Sequence, residues 1–334
     1  MRRLGLADMR FWLVLAALGL TLAALLVPHI RRAGTAYDLV AVVDITVSMN
    51  VRDYRHEGRP ASRLEAVKLS LRKLVAALPC ESRLGLAVFS ARRTVLLLAP
   101  MEVCANFSAL DASLSELDWR MAWEGDSYVA KGVHHGIATA ADLGADILFL
   151  SDGHEAPPLH HTGLPAFAGT EGQVKGVLVG VGGRAKSPIP KYNEDGHQIG
   201  FVGADEVPHE NRHGLPPASA VQREGYHPRN APWGTAPATG DEHLSSVREE
   251  HLKRIAAQTG LAYAYLDKMP ATSALLRAIE GSAKRRTVTG LSDVRHVPAS
   301  VAAFLLVCVF TLMPLAAWLS SRRRAAAHAR SGSP

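Results

Sequence analysis

The stretch from residue 38 to 50, DLVAVVDITVSMN, constrains this chain more than any other. Its apolar run, Leu39 to Val43, stops at Asp44 and is followed by hydroxyls at Thr46 and Ser48. A short run without alternation fits a parallel strand covered on both faces. The polar residues then stand at the carboxyl end of that strand, where open α/β sheets bind their ligands. One carboxylate and two hydroxyls on a turn are hard oxygen ligands, suited to Mg²⁺, Ca²⁺ or Mn²⁺. Asp and Ser also cap helices and shape turns, so this string alone admits a purely structural reading.

Two further segments shift that balance. Glu124-Gly125-Asp126-Ser127 precedes a helix-like stretch, and Ile147-Leu148-Phe149-Leu150 is another buried-strand run, ending in Ser151-Asp152-Gly153. In this order, D-x-T-x-S, Gly-Asp-Ser and a strand with Ser-Asp-Gly resemble the von Willebrand factor A (VWA) domain over roughly residues 36 to 270. The resemblance implies an α/β, Rossmann-like fold with a mostly parallel central sheet and helices on both faces. It also implies a metal-ion-dependent adhesion site (MIDAS) built from Asp44, Thr46, Ser48, Ser127 and Asp152. Thr46 and Ser48 would bind a divalent cation through their hydroxyls, Mg²⁺ first and Ca²⁺ or Mn²⁺ as alternatives. Ser127 stands where the family has Thr, and Asp44 and Asp152 would act through water. Thr46 replaces the usual Ser, and Asp126 beside Ser127 adds a negative charge that would weaken the demand for a partner carboxylate if it faced the metal.

Both ends of the chain are apolar. Phe11 to Val27 carries no charge, Pro28-His29-Ile30 extends it, and Arg31-Arg32 closes it. Val297 to Leu319 is similar and is followed by Arg322-Arg323-Arg324. Each can cross a hydrocarbon layer of about 30 Å. The first also fits a cleaved signal peptide, but with no clear A-x-A site an uncleaved anchor is expected. The expected layout is residues 1–34 as tail and anchor, 35–270 as the VWA domain with an insertion at about 184–245, 271–296 as a juxtamembrane helix (Thr272 to Ser282) and linker, 297–319 as the second span and 320–334 as a basic tail. Arg2, Arg3 and Arg10 at one end and the last arginines at the other would place both tails in the cytoplasm and the long middle outside it; with the bacterial resemblance given below, that means an inner membrane with the domain in the periplasm. Arg31-Arg32 and Lys284-Arg285-Arg286 lie on the opposite side; the latter reads as a solvated helix end near lipid headgroups. The net charge of +6 is thus partly topological, and no nucleic-acid motif gives it another meaning.

Between the ends, Ser62-Arg63-Leu64-Glu65 opens a helix with Leu64, Val67, Leu71, Leu74, Val75 and Leu78 on one face, stopped at Pro79. Leu84 to Phe89 and Thr94 to Leu98 read as a hairpin, Phe107 to Leu117 and Tyr128 to Asp142 as helices, and Val174 to Val181 as a buried strand. In a VWA sheet the run from Thr94 would be the antiparallel edge strand, bringing Cys104 to the end of the first helix, where Cys80 lies. These two cysteines could pair, which would imply an oxidising compartment, or remain buried thiols. His134-His135, and His154 with Glu155 and His160-His161, lack the spacing of a zinc site. Residues 209 to 240 show no periodicity and read as an insertion.

Pro188-Ile189-Pro190, a hairpin turn at Gly196 and Leu252-Lys-Arg-Ile-Ala-Ala-Gln-Thr-Gly260 resemble a membrane-anchored bacterial VWA group. It includes the Bat aerotolerance proteins and the VWA proteins of methanol dehydrogenase gene clusters, which often accompany MoxR-type AAA+ ATPases. The divergent first motif and basic tail favour the second subgroup, implying a non-catalytic accessory protein in calcium insertion during methanol dehydrogenase maturation. Its partners would be membrane or periplasmic maturation factors. The alternative is a Bat-type stress-tolerance complex working with a MoxR-type ATPase. A metal-dependent hydrolase would need a general base beside an open coordination position. Only Glu155 and His154 are near, and neither a G-x-S-x-G nor a phosphate-binding Gly-Lys-Ser/Thr loop occurs.

Overall fold

The computed structural model describes residues 9–26, 29–159, 163–193, 195–207, 222, 240–315 and 318. In chain order these form helix α1 (Met9–Leu26), strands β1 (His29–Ala36) and β2 (Asp38–Asp44), a 3-10 turn (Val47–Asn50), the short strands β3 (Tyr54–His56) and β4 (Arg59–Ala61), and helix α2 (Arg63–Ala77). Strands β5 (Arg83–Ser90) and β6 (Arg93–Glu102), helices α3 (Phe107–Ser115) and α4 (Val129–Asp142), and strands β7 (Asp146–Ser151) and β8 (Gly176–Val181) follow. Then come β9 (Ser187–Pro188), β10 (Pro190–Tyr192), β11 (Gln198–Phe201), β12 (Leu244–Ser245), α5 (Glu249–Thr259), β13 (Ala262–Leu266), α6 (Thr272–Ser282), β14 (Arg286–Asp293) and α7 (His296–Val307).

The chain divides into two units, Thr35–Val288 and the combined ends Met1–Gly34 and Thr289–Pro334. The first is built on a six-stranded sheet of order β13-β8-β7-β2-β5-β6. Every pairing is parallel except β5 with β6, so β6 is the antiparallel edge strand that the VWA resemblance implies. Successive side chains of a strand point to opposite faces, and β2 uses both. Leu39, Ala41 and Val43 pack under α2, α3 and α6 with Leu71, Leu110 and Leu275. Val40 and Val42 pack under α4 and α5 with Val133, Ile137, Leu252 and Ile255. An uninterrupted apolar run is what two buried faces demand. The apolar stripe on α2 is buried along its whole length. Its start is set by a capping box, in which the Ser62 hydroxyl accepts from Glu65 N and the Glu65 carboxylate accepts from Ser62 N. Helix α5 ends at Gly260, whose φ of +74° suits a left-handed cap.

In the other unit, α1 and α7 lie against each other, with Ala17, Ala24, Ala302 and Val309 buried; small residues permit such close approach. Met9–Leu26 and His296–Leu315 are long and apolar enough to cross a membrane, with mean hydropathy of 2.0 and 2.2, and only 11% of each is buried. A π-helical turn, Cys308–Leu312, continues α7.

Several expectations need revision. His29 and Ile30 do not extend the first span but begin β1, which pairs with β14 as a two-stranded ribbon. Lys284-Arg285-Arg286 is not a solvated helix end. The Arg286 guanidinium donates to both oxygens of Asp38 at 3.0 and 3.1 Å and to Glu81 O at 2.6 Å. The expected short helix at Thr272–Ser282 is present as α6, and its Leu275 and Ile279 belong to the core. The hairpin at Gly196 is present as β10 and β11. Of the insertion, residues 208–221 and 223–239 lie outside the described residues. Cys80 and Cys104 form a disulfide with a Cα–Cα distance of 5.4 Å. It sits beyond the Arg83 end of β5, away from the carboxyl end of β2.

Candidate metal centre

The central strand delivers Asp44 to the carboxyl edge of the sheet, fully buried. The chain then turns sharply, and the turn is tied to the carboxylate. Asp44 Oδ1 accepts from Thr46 N at 2.9 Å and from the Thr46 hydroxyl at 2.7 Å. Asp44 Oδ2 accepts from the Ser151 hydroxyl at 2.6 Å. Ser48 follows in the 3-10 turn, its Oγ 3.3 Å from Thr46 Oγ1. On the neighbouring strand β7, Asp152 Oδ1 accepts from His154 N at 2.9 Å. The two aspartates thus sit side by side behind a pair of hydroxyls.

Ser127 arrives from another direction. The Ala91 and Ala156 backbones clamp its own: Ser127 N donates to Ala156 O at 2.6 Å and Ala156 N returns a bond at 2.9 Å. Tyr128 N donates to Ala91 O at 2.7 Å. The residue is 2% exposed, and its hydroxyl has no hydrogen-bond partner. A buried hydroxyl left unpaired costs about 1–3 kcal/mol, a cost that a ligand bonded to it would recover. It opens into a cavity of about 50 Å³, also lined by Thr46 and Ser48. That is room for a few waters at about 10–15 Å³ of probe volume each, hence for a hydrated ion. Hydroxyls backed by carboxylates are a donor set for a hard divalent cation, and the residues present fit one.

Electrostatics point the same way. Burial, and next the charge on Asp152, push the Asp44 carboxyl up to about 7, with the bonds from Ser151 and Thr46 offsetting part of the rise. Burial also raises Asp152, but the charge of Arg63, with help from His154 and Ser48, outweighs it and holds the group below its ordinary value. Asp44 is therefore the carboxylate short of positive charge. Asp126 is 7% exposed and raised by burial and by Glu124. It is not among the residues lining the cavity, although Gly125 and Ser127 are.

Arg63, Asp53 and Ser245 surround the candidate ligands without being marked by the motif pattern, whereas Ser151 belongs to the Ser-Asp-Gly motif and bonds Asp44. Arg63 is fully buried. Its NH1 donates to Asp152 Oδ2 and to Ser245 Oγ, both at 2.6 Å, and its Nε and NH2 donate to Asp53 Oδ2 at 2.9 and 2.7 Å. One signal was available: a cation on the first turn of a helix opposes the helix dipole, so something nearby must compensate. The late segment closes the cavity, with Ile189, Val202, Val207, Glu206 and Glu242 on its wall. His154 Nε2 donates to Glu242 O at 2.9 Å, and burial lowers its pKa, favouring the neutral ring.

The general-base candidates are engaged elsewhere. Glu155 accepts from Val129 N and Ala130 N, each at 3.0 Å, and from His251 Nε2 at 2.9 Å, serving as a cap for α4 brought from another loop. His134 contacts Gln258 at 3.2 Å and the Phe167 ring at 5.0 Å. His160 and His161 lie outside the described residues. So does His209-Glu210-Asn211-Arg212-His213, an H-E-x-x-H string within the insertion. Its histidines share a face only on a helix.

A strand-end Asp-x-Thr-x-Ser turn, a serine at the head of α4 and an Asp at the end of the adjacent parallel strand now stand together on a β13-β8-β7-β2-β5-β6 sheet. Residues 39–154 match the von Willebrand factor type A domain. The domain has the VWA fold. No curated protein matches the chain. Among solved structures it is similar to an aerotolerance-related membrane protein from Bacteroides fragilis, at 17% identity over 74% of this chain and 100% of that one, with a TM-score of 0.45. It is also similar to the conserved hypothetical protein BatB from Bacteroides thetaiotaomicron, at 16% identity over 74% and 98%, with a TM-score of 0.46. A membrane-spanning protein from Vibrio fischeri shares 17% identity over 74% and 97%, with a TM-score of 0.28. The VWA assignment rests on the matched domain and the sheet order, not on these overlays.

Proposed function

We propose that this chain is a non-catalytic, membrane-anchored docking module that captures a partner's acidic side chain through a divalent cation at the VWA site. Thr46, Ser48 and Ser127 would hold the cation directly, with Asp44 and Asp152 behind them, and Mg²⁺ is the expected ion. Bound there, a dication supplies a positive centre that neutral hydroxyls leave largely uncancelled. The observation that carries this reading is the buried, unpartnered Ser127 hydroxyl facing the same cavity as Thr46 and Ser48. The two apolar helices would anchor the module in a membrane, with the domain on the oxidising side. The Cys80–Cys104 disulfide supports that side.

The setting we favour is an aerotolerance-type membrane complex, since similar structures come from an aerotolerance-related membrane protein and from BatB. Methanol dehydrogenase maturation rests on sequence resemblance alone, and neither the fold nor the comparisons add support. Oxygen sensitivity of a deletion strain would favour the first setting. Loss of methanol dehydrogenase activity that millimolar Ca²⁺ restores would favour the second. The site itself is tested by calorimetric titration of the full chain in detergent with Mg²⁺ and Mn²⁺. Saturable binding lost in Asp44→Asn is the expected result, and equal binding by both proteins would sink the reading. A peptidase assay with added Zn²⁺ checks the H-E-x-x-H string, and turnover there would replace the docking module with an enzyme.

A further inference from the structure

The charge balance around the hydroxyls depends on a residue that is not itself part of the cavity lining. Arg63 occupies the first turn of α2, where the helix dipole disfavours a cation, and its side chain is fully buried. Its room is cleared on purpose. At Gly182, where φ is +112°, a Cβ would lie 2.4 Å from Arg63 Nε. The guanidinium reaches Asp152 at 2.6 Å on one side and Asp53 at 2.7 Å on the other. Ser245 closes the triangle, accepting from Arg63 and donating its hydroxyl to Asp152 Oδ2 at 2.9 Å. Gly183 N donates to the same Asp53 oxygen at 2.7 Å, fixing it as well.

Burying an ion pair costs desolvation that an apolar pair of similar size avoids, so stability alone is a poor reason to keep this arrangement. Its effect on a cation is specific. Without Arg63, a dication in the cavity would face the full charges of Asp44 and Asp152, enough to satisfy it. With Arg63 in place, part of the charge on Asp152 is offset by an adjacent guanidinium, while Asp44 accepts only from the neutral Thr46 and Ser151 groups.

We propose that Arg63 is a positioning residue of the docking site: by clamping Asp152 and offsetting part of its charge it keeps a bound dication hungry for a carboxylate from outside. This rests on the cation reading above and names what makes that site a receptor for acids rather than a closed cation store.

The test uses the full chain in detergent, Mn²⁺ as the metal, free Mn²⁺ read by electron paramagnetic resonance, and acetate as the carboxylate probe. In the wild type, excess acetate should tighten Mn²⁺ binding several-fold. The double variant Arg63→Met with Asp53→Asn removes one charge of each sign, so the net charge is unchanged while Asp152 is freed. It should bind Mn²⁺ about tenfold more tightly, as an unscreened charge at close range requires, and lose the acetate effect. Arg63→Lys keeps a cation beside Asp152 and should retain the acetate effect, which a merely structural role would not restore. A double variant matching the wild type in both readouts overturns the proposal. So does a cooperatively melting double variant that has lost Mn²⁺ binding. Should the double variant fail to fold, Arg63→Lys decides alone, and loss of its acetate effect overturns the proposal. A wild type that binds no Mn²⁺ overturns the cation reading itself and this proposal with it. Wild-type binding with indifferent variants overturns this proposal only.

Discussion

Replacing Ser127 with Ala should invert the sign of a stability change depending on whether a divalent cation is present. In metal-free buffer the Ser127 hydroxyl is buried and unpaired, and such a group costs about 1–3 kcal/mol. The lower end applies, because the cavity of about 50 Å³ beside it admits water. Both backbone bonds between Ser127 and Ala156 survive the substitution, since neither uses the side chain. Ser127→Ala in EDTA should therefore be more stable than wild type by about 1 kcal/mol, or about 2–4 °C for a domain of this size. With Mg²⁺ at a hundred times its dissociation constant, wild type should gain about 2.7 kcal/mol by mass action, or about 5–10 °C. The variant, one ligand short, should gain much less, so the order of melting temperatures reverses. Scanning calorimetry or near-ultraviolet circular dichroism of the full chain in detergent, with EDTA and with Mg²⁺, reads both arms. A variant less stable than wild type in EDTA would show that the hydroxyl has a structural partner. An unchanged Mg²⁺ shift would show that it is no ligand.

Asp44→Asn should abolish saturable divalent binding while the domain still melts cooperatively, because the amide oxygen can still accept from Thr46; calorimetric titration checks it. At the other end of β2, the hydrogen bonds from Arg83, together with Arg286, hold Asp38 below the ordinary carboxylate range against the effect of burial. A depressed folded value stabilises the protein above the unfolded value of about 3.9 and loses that stabilisation as pH falls through the folded value. Denaturant midpoints of Asp38→Asn should accordingly vary less than those of wild type between pH 5 and 3, taken as approximate limits, and parallel curves would refute the pairing. Joint replacement of Cys80 and Cys104 by Ser frees a loop with a sequence separation of 24. It should cost about 3 kcal/mol of stability by loop-closure entropy, read as a drop in denaturant midpoint under oxidising conditions.

Much of this molecule is written in local patterns. The uninterrupted run at Leu39–Val43 requires two covered faces, and the sheet gives it both. The Ser62–Glu65 capping box starts α2 where the spacing places it, and Gly260 ends α5 in the left-handed conformation only Gly adopts freely. Such features involve residues a few positions apart, so order along the chain carries them. For the same reason the D-x-T-x-S turn is legible: Asp44 and Thr46 bond to each other across two residues. The strand β14 was not legible, because its cue is a partner strand some 250 positions away in sequence, roughly the reach at which pattern reading has nothing to count.

The sequence by itself determined which oxygens could ligate a cation and which strand would carry the first of them. Tertiary structure alone decided how those oxygens are charged. Arg63 meets Asp152 across 89 positions and Ser245 across 182, and Glu155 caps a helix 26 positions before it. Nothing local marks these contacts, since each depends on where separate loops converge at the carboxyl edge of one sheet. Charge in a buried site is a property of all neighbours at once. The chain therefore spells out its candidate ligands, and the fold sets the charge around them.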